Sequence, residues 1–314
     1  MKAMRFHDYG DPSVLRFEDV ETPDPGAGEV RVRVAGAAFN PVDDGIRGGY
    51  LRGPFPVELP HTPGIEVSGT VDALGDGVAN VSVGDAVVGF LPMVAPGAAA
   101  EYVVAPAESL VPAPTSIPLA DAAALPMVGL TAYQALFDDA GLTAGQRVLI
   151  NGAGGAVGGY AVQLAKRAGA HVIATASPRS SDRVRSAGAD EVIDHTSTAV
   201  TAAVTEPVDV LLNLARIAAE ELVALVTLIR PGGVVVNTVP TIPTPGDEER
   251  GVRAVGVFVR SDAEQLSKLV AMTDRGELRV DVAEHVPLSE LADVHARAGA
   301  GELSGKVVVV PDAA

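Results

Sequence analysis

Short runs of alternating or apolar residues fill the chain up to about position 120. Those at Glu29–Ala35, Glu66–Leu74, Ala86–Phe90 and Ala100–Val104 predict strands, since a period of two puts one face on a core and the other in water. Glycine, proline, aspartate and asparagine between them supply turn geometry. Near Leu119 the pattern changes. Apolar runs at Arg147–Asn151, His171–Ala176, Val192–Ile193, Val208–Leu212, Gly233–Asn237 and Val255–Val259 now alternate with helical stretches. The helices are clearest at Val157–Arg167, Ser181–Ala187, Ala218–Ile229 and Asp262–Arg275. Such alternation predicts an α/β fold, a parallel sheet with helices on both faces. Six strands make two mononucleotide-binding halves, a doubly wound sheet. From about Glu277 mixed structure returns, with a helix at Leu288–Ala298 and a strand at Lys306–Val310. This tail is expected to rejoin the first domain. The expected division is therefore 1–121 with 277–314 as a discontinuous β-rich domain, and 122–276 as the doubly wound one.

Composition narrows the possible partners. The 314 residues are 47% apolar, enough for two cores. A net charge of −17 argues against nucleic acid, whose phosphates demand a basic face. No cysteine is present, which excludes disulfides, thiolate metal sites and a cysteine nucleophile. The opening MKAMRFHDYGD is polar within seven residues and does not read as a signal peptide. No apolar run approaches the ~20 residues that span a bilayer. A soluble, cytoplasmic protein is expected, with no membrane partner.

The candidate chemistry starts where Val148-Leu149-Ile150 runs into Asn151-Gly152-Ala153-Gly154-Gly155-Ala156-Val157-Gly158 and a helix. A glycine turn between strand and helix lets backbone approach a pyrophosphate, and the helix N-terminus binds the anion. Gly154, Gly155, Ala156 and Val157 are the candidate contacts. The spacing is atypical, Ala153-x-Gly155-x-x-Gly158, and close helix–sheet packing alone would also favour glycine. The second strand sharpens the assignment. An NAD site usually ends that strand in an acid that holds the ribose 2′-hydroxyl. Here Ala176-Ser177-Pro178-Arg179 follows, with Ser177 nineteen residues after Gly158. Ser177 can donate to a 2′-phosphate, and Arg179 or Arg183 can bind it as a fork. NADPH is the expected cofactor. Arg185 reads as a solvated surface residue.

These residues resemble the medium-chain dehydrogenase/reductase superfamily, in its zinc-free quinone oxidoreductase (zeta-crystallin-like) branch. Gly158-x₄-Gln163-x₂-Lys166 matches that branch closely, and Asn40-Pro41-Val42-Asp43, Gly64-x-Glu66-x-x-Gly69, Gly84-Asp85-x-Val87 and Gly129-Leu130-Thr131-Ala132 look like superfamily motifs. The resemblance implies a GroES-like β domain, a Rossmann domain, a nicotinamide cleft between them, and a homodimer formed by sheet edges. Zinc relatives place cysteine near position 39 and histidine before Glu66. Phe39, Asn40 and Ile65 stand there instead, so no metal is expected, and His61 reads as a loop residue.

Without a metal, a dihydronicotinamide can still reduce a quinone or the β-carbon of an α,β-unsaturated carbonyl. The resemblance makes Asn40 a donor or positioning residue facing the nicotinamide and Tyr50 a candidate proton donor. Gly45 replaces an aromatic and suggests a roomier pocket. By position, Thr131, His195, Asn213, Phe258, Val259 and Lys306 are further cofactor contacts; for Lys306 a surface role is an equal alternative. Thr241–Arg250, rich in proline and charge, suggests a mobile loop. A quinone or enone reductase leads these possibilities. An enoyl reductase acting on a thioester or biosynthetic intermediate, or a non-catalytic NADPH-binding protein, would share the same cofactor residues.

Overall fold

A computed structural model describes residues 1–312. The chain forms two compact units, Met1–Met127 with the segment from Ser261 onwards, and Val128–Arg260.

In the first unit, β1 (Lys2–Phe6) and β2 (Leu15–Asp19) form an antiparallel pair. Then follow β3 (Glu29–Ala38), α1 (Pro41–Arg47), β4 (Glu66–Leu74), β5 (Ala86–Phe90), β6 (Tyr102–Pro106) and β7 (Leu110–Pro112). Alternation in β3 does what its pattern requires: Val30, Val32 and Val34 are buried in one core with Val67, Val71 and Val87. Helix α2 (Pro126–Tyr133) leads across the boundary into the second unit.

The second unit contains β8 (Arg147–Asn151), α3 (Ala156–Arg167), β9 (His171–Ala176), α4 (Pro178–Ser186), β10 (Glu191–Asp194), α5 (Val200–Ala203), β11 (Val208–Asn213), α6 (Ala219–Val226), β12 (Ile229–Asn237) and β13 (Arg253–Gly256). All six strands are parallel, in the order β10-β9-β8-β11-β12-β13. This is the doubly wound order, and the winding reverses between β8 and β11. Leu149, Ile173, Leu211 and Val235 lie wholly buried at the centre of its core, as continuous apolar strands between helix layers should.

The first unit is completed by α7 (Ala263–Asp274), β14 (Val282–Pro287), α8 (Leu291–Gly299) and β15 (Lys306–Val310). β15 enters the large sheet between β14 and β3. The Asp274 carboxylate accepts from the N–H groups of Thr115 and Ser116, fixing the end of α7 to the segment after β7.

Several elements differ from the sequence pattern. α4 begins at Pro178, not Ser181, because Ser177 caps a helix with proline at its first position. The expected helix Ala218–Ile229 stops at Val226, and Ile229 already belongs to β12, paired with Val208. The sixth strand is Arg253–Gly256, not Val255–Val259: its partner β12 ends at Asn237, opposite Gly256, so Phe258 and Val259 lie beyond the sheet. α1 was not expected at all.

Candidate functional site

The glycine turn of the second unit is shaped by what a side chain would strike. At Gly158 a Cβ would lie 2.4 Å from the Ala153 carbonyl oxygen, so only glycine lets α3 pass this close to the turn. At Gly154 it would collide with Ser180 of α4, so that glycine makes room for protein. Gly155 is different: it is exposed, and its Cβ would have nothing nearer than 3.7 Å. Gly155 caps α3 without a side-chain hydrogen bond, and no acid stands in the first turn. The N–H groups of Ala156, Val157 and Gly158 thus open a helix N-terminus that suits an anion. A pyrophosphate fits this arrangement.

Beside the turn, β9 ends at Ala176, and Ser177 and Arg179 follow. Arg179 is exposed and makes no hydrogen bond or ion pair with the described residues. Arg183 is different, since its guanidinium donates to the Gly154 carbonyl and so braces the turn. Ser177 lies 3.4 Å, oxygen to oxygen, from Ser180. His195 is exposed, and its N–H donates to the Ala176 carbonyl at 3.3 Å, which puts it beside Ser177. No acid stands at the end of β9.

Asn213 is buried at the end of β11 and bonded to neighbouring asparagines. Thr131 is buried in α2. The Gln134 carboxamide, one residue past α2, makes two 3.0 Å bonds to the backbone of Arg260. That fastens the segment carrying exposed Phe258 and buried Val259 to the same helical stretch. The loop Thr241–Arg250 is pinned at its far end, where Arg250 donates to the carbonyls of Val226, Thr227 and Ile229.

In the first unit the structure joins two candidates directly. The Lys306 ammonium donates to Asn40 Oδ1, to Phe39 O and to the Glu66 carboxylate, so its three N–H donors are all used. Lys306 is only 3% exposed, which overturns the surface alternative. Asn40 Nδ2 donates to Glu66 at 2.7 Å and to Ala38 O at 3.2 Å. The other Glu66 oxygen accepts from the Met127 N–H at 2.6 Å. Glu66 was not singled out by chemistry, although a fully buried carboxylate demands a partner. Tyr50 stands apart, 84% exposed after α1. Nor does Gly45 open a pocket: Leu51 fills the space, 2.7 Å from where a Cβ would be. His61 is buried, with Phe6 edge-on at 5.4 Å, and burial then Arg5 push its imidazole down to about 4.

Asp43, the third residue of α1, accepts from the N–H groups of Asn40 and Gly64. Burial pushes its carboxyl up to about 7, against the pull of the Asn40 N–H, the Lys306 ammonium and the Gly64 N–H, and with the push of Glu66. Between its ordinary value and about 7, the folded protein keeps a proton that the unfolded chain has released. Stability is therefore expected to fall as pH rises from roughly 4 to 7, by a few kcal/mol, and to level off above. Urea unfolding of the native protein and of Asp43→Asn across this range measures it. The variant should lose that slope, and identical pH profiles would refute the assignment.

Two family models match the chain: an alcohol dehydrogenase GroES-like domain over residues 26–115 and a zinc-binding dehydrogenase over residues 187–309. A chloroplast envelope quinone oxidoreductase homolog of Arabidopsis thaliana is 34% identical, over 99% of this chain and 98% of its own. A 2-methylene-furan-3-one reductase of Solanum lycopersicum is 31% identical, over 99% of this chain and 79% of its own. The crystal structure of Escherichia coli quinone oxidoreductase complexed with NADPH superposes with a TM-score of 0.87 at 25% identity, covering 99% and 100% of the two chains.

The residues do not fit the zinc of the second family's description. Where zinc relatives resemble this chain, Asn40 and Glu66 hold the Lys306 ammonium, and Ile65 offers no ligand atom. Among the described residues no three His, Cys, Asp or Glu side chains are grouped to hold a metal ion. No helix among them is long and apolar enough to cross a membrane. With the GroES-like and Rossmann folds in place and a relative matched along nearly its whole length, the chain belongs to the quinone oxidoreductases of the medium-chain dehydrogenase/reductase superfamily.

Proposed function

We propose that this protein is a zinc-independent, NADPH-dependent oxidoreductase that reduces a quinone or an α,β-unsaturated carbonyl. One observation carries the reading: an uncovered helix N-terminus at Gly155 beside a strand end that bears Ser177 and an unpaired Arg179 and no acid. The N–H groups of Ala156, Val157 and Gly158 bind the pyrophosphate, while Ser177 and Arg179 bind the 2′-phosphate. The bound dihydronicotinamide supplies hydride, and the developing oxyanion on the acceptor calls for a donor. Exposed Tyr50 is the proposed proton donor. Asn40 is proposed as a positioning residue, its carboxamide held between Glu66 and Lys306. The tomato relative named for an enone supports activated alkenes beside quinones as acceptors. A cytoplasmic homodimer completes the proposal, joined through β13, the four-residue edge strand of the parallel sheet. Light scattering in solution tests the dimer.

Loss of nicotinamide absorbance with NADPH and a panel of quinones and enones tests the function. Turnover that prefers NADH, or no turnover with any acceptor, would overturn it. Arg179→Ala is expected to weaken NADPH binding roughly ten- to a hundredfold, the worth of one charged hydrogen bond of ~1.5–3 kcal/mol. NADH binding should stay unchanged by calorimetry. Equal losses for both cofactors would mean that Arg179 does not read the phosphate.

A further inference from the structure

Three neighbouring strands of the second unit end in asparagine: Asn151 on β8, Asn213 on β11 and Asn237 on β12. All three occupy one register, Asn213 opposite both others. Thr175, on β9, stands beside Asn151. All four are buried. Three carboxamides and a hydroxyl buried at the ends of otherwise apolar strands are costly unless every group is paired.

They are paired in a single direction. The Gly152 N–H donates to Thr175 Oγ1 at 2.8 Å, and that hydroxyl donates to Asn151 Oδ1 at 2.9 Å. Asn151 Nδ2 donates to Asn213 Oδ1, and Asn213 Nδ2 to Asn237 Oδ1, both at 2.9 Å. Asn237 Nδ2 then donates to the carbonyls of Val239 and Ile242 at 3.1 and 2.9 Å. Backbone groups fix the sense at the far end. Carbonyls can only accept and an N–H can only donate, so Asn237 must present its NH₂ to Val239 O and Ile242 O and its Oδ1 to the Val239 N–H. That Oδ1 then accepts from Asn213, and the same sense runs back through Asn151 to the Thr175 hydroxyl. Each link polarises the next. One end of the ladder is the glycine turn, and the other is the loop that leaves β12.

We propose that Thr175, Asn151, Asn213 and Asn237 are positioning residues, a directional hydrogen-bond ladder that sets the cofactor's phosphate turn and couples it to the loop after β12. The first link turns the Gly152 N–H inward, which leaves the N–H groups of Ala156, Val157 and Gly158 to meet the anion. Occupation of the turn thereby tightens residues 239–242, two strands away. The coupling to cofactor rests on the NADPH reading above; the ladder itself does not.

Hydrogen–deuterium exchange on native protein, Thr175→Val and Thr175→Ser, with and without NADPH, tests it. Valine keeps the shape but strands the Gly152 N–H and Asn151 Oδ1, and serine restores the hydroxyl. Without cofactor, Thr175→Val should exchange faster at residues 239–242, and Thr175→Ser should match the native protein. Unchanged exchange there in Thr175→Val would overturn the ladder. With saturating NADPH, the native protein should gain protection both at the start of α3 and at 239–242, and Asn213→Leu only at α3. Equal protection of 239–242 in both would overturn the coupling. The Kd for NADPH should rise about tenfold in Thr175→Val, as one stranded buried pair implies, and recover in Thr175→Ser. If NADPH protects nothing in the native protein, the cofactor assignment and the coupling both fall, while the cofactor-free exchange still decides the ladder.

Discussion

Lys306→Met is expected to destabilise the first unit by about 3–5 kcal/mol, the usual result of leaving one partner of a buried ion pair behind. Glu66 has no exposed surface, so its charge cannot turn to water. It would keep only the Asn40 Nδ2 and Met127 N–H donors. Asn40 Oδ1 and Phe39 O would each lose a donor as well. Urea unfolding measures the loss. Adding Glu66→Gln to Lys306→Met removes the stranded charge and should recover a large part of the stability. If the double variant is no more stable than the single one, the pairing is not what Lys306 contributes.

Gly158→Ala is expected to damage binding and stability together. The new methyl would meet backbone, the Ala153 carbonyl oxygen at 2.4 Å and Cα at 2.5 Å. Ala153 cannot step aside freely, since its N–H donates to the Thr175 carbonyl and its side chain is buried. Overpacking of this kind costs about 1–3 kcal/mol, and the displaced turn should weaken NADPH binding more than tenfold. Gly159→Ala is the control. A Cβ there meets nothing within 4 Å, so alanine should leave binding intact and add up to about 1 kcal/mol of helix stability. Thermal unfolding and NADPH titration of the two variants separate the cases, and equal behaviour would refute the steric argument.

Much of the fold was legible because buried parallel strands announce themselves. Val148-Leu149-Ile150 and Val234-Val235-Val236 are too apolar to be anything else between turns, and both lie within strands of the sheet. Helix α1 was missed because Asn40-Pro41-Val42-Asp43-Asp44-Gly45 is written in turn residues. The same letters start a helix: proline at its first position and aspartates in its first turn suit the free N–H groups and the dipole. The phosphate turn could be read locally, from Gly152 to Gly158. Partners of Lys306 could not, since Glu66 and Asn40 come to it only through tertiary folding. The asparagine ladder left a signal that was passed over. Three apolar runs each end in asparagine, and a polar residue repeated at one register of a buried sheet has to find its own kind.

β15 also bears on how the chain is made. The second unit is one continuous stretch, and all six of its strands have left the ribosome before β15 is synthesised. The first unit begins to emerge earlier and yet finishes later. Its large sheet lacks the strand between β14 and β3, and Glu66 lacks a counter-charge 240 residues further on, until Lys306 arrives. Synthesis from the N-terminus therefore gives this protein an inverted schedule. The nascent chain carries a half-built β unit with an open edge at β3 and an unneutralised acid, and the arrival of β15 closes both at once.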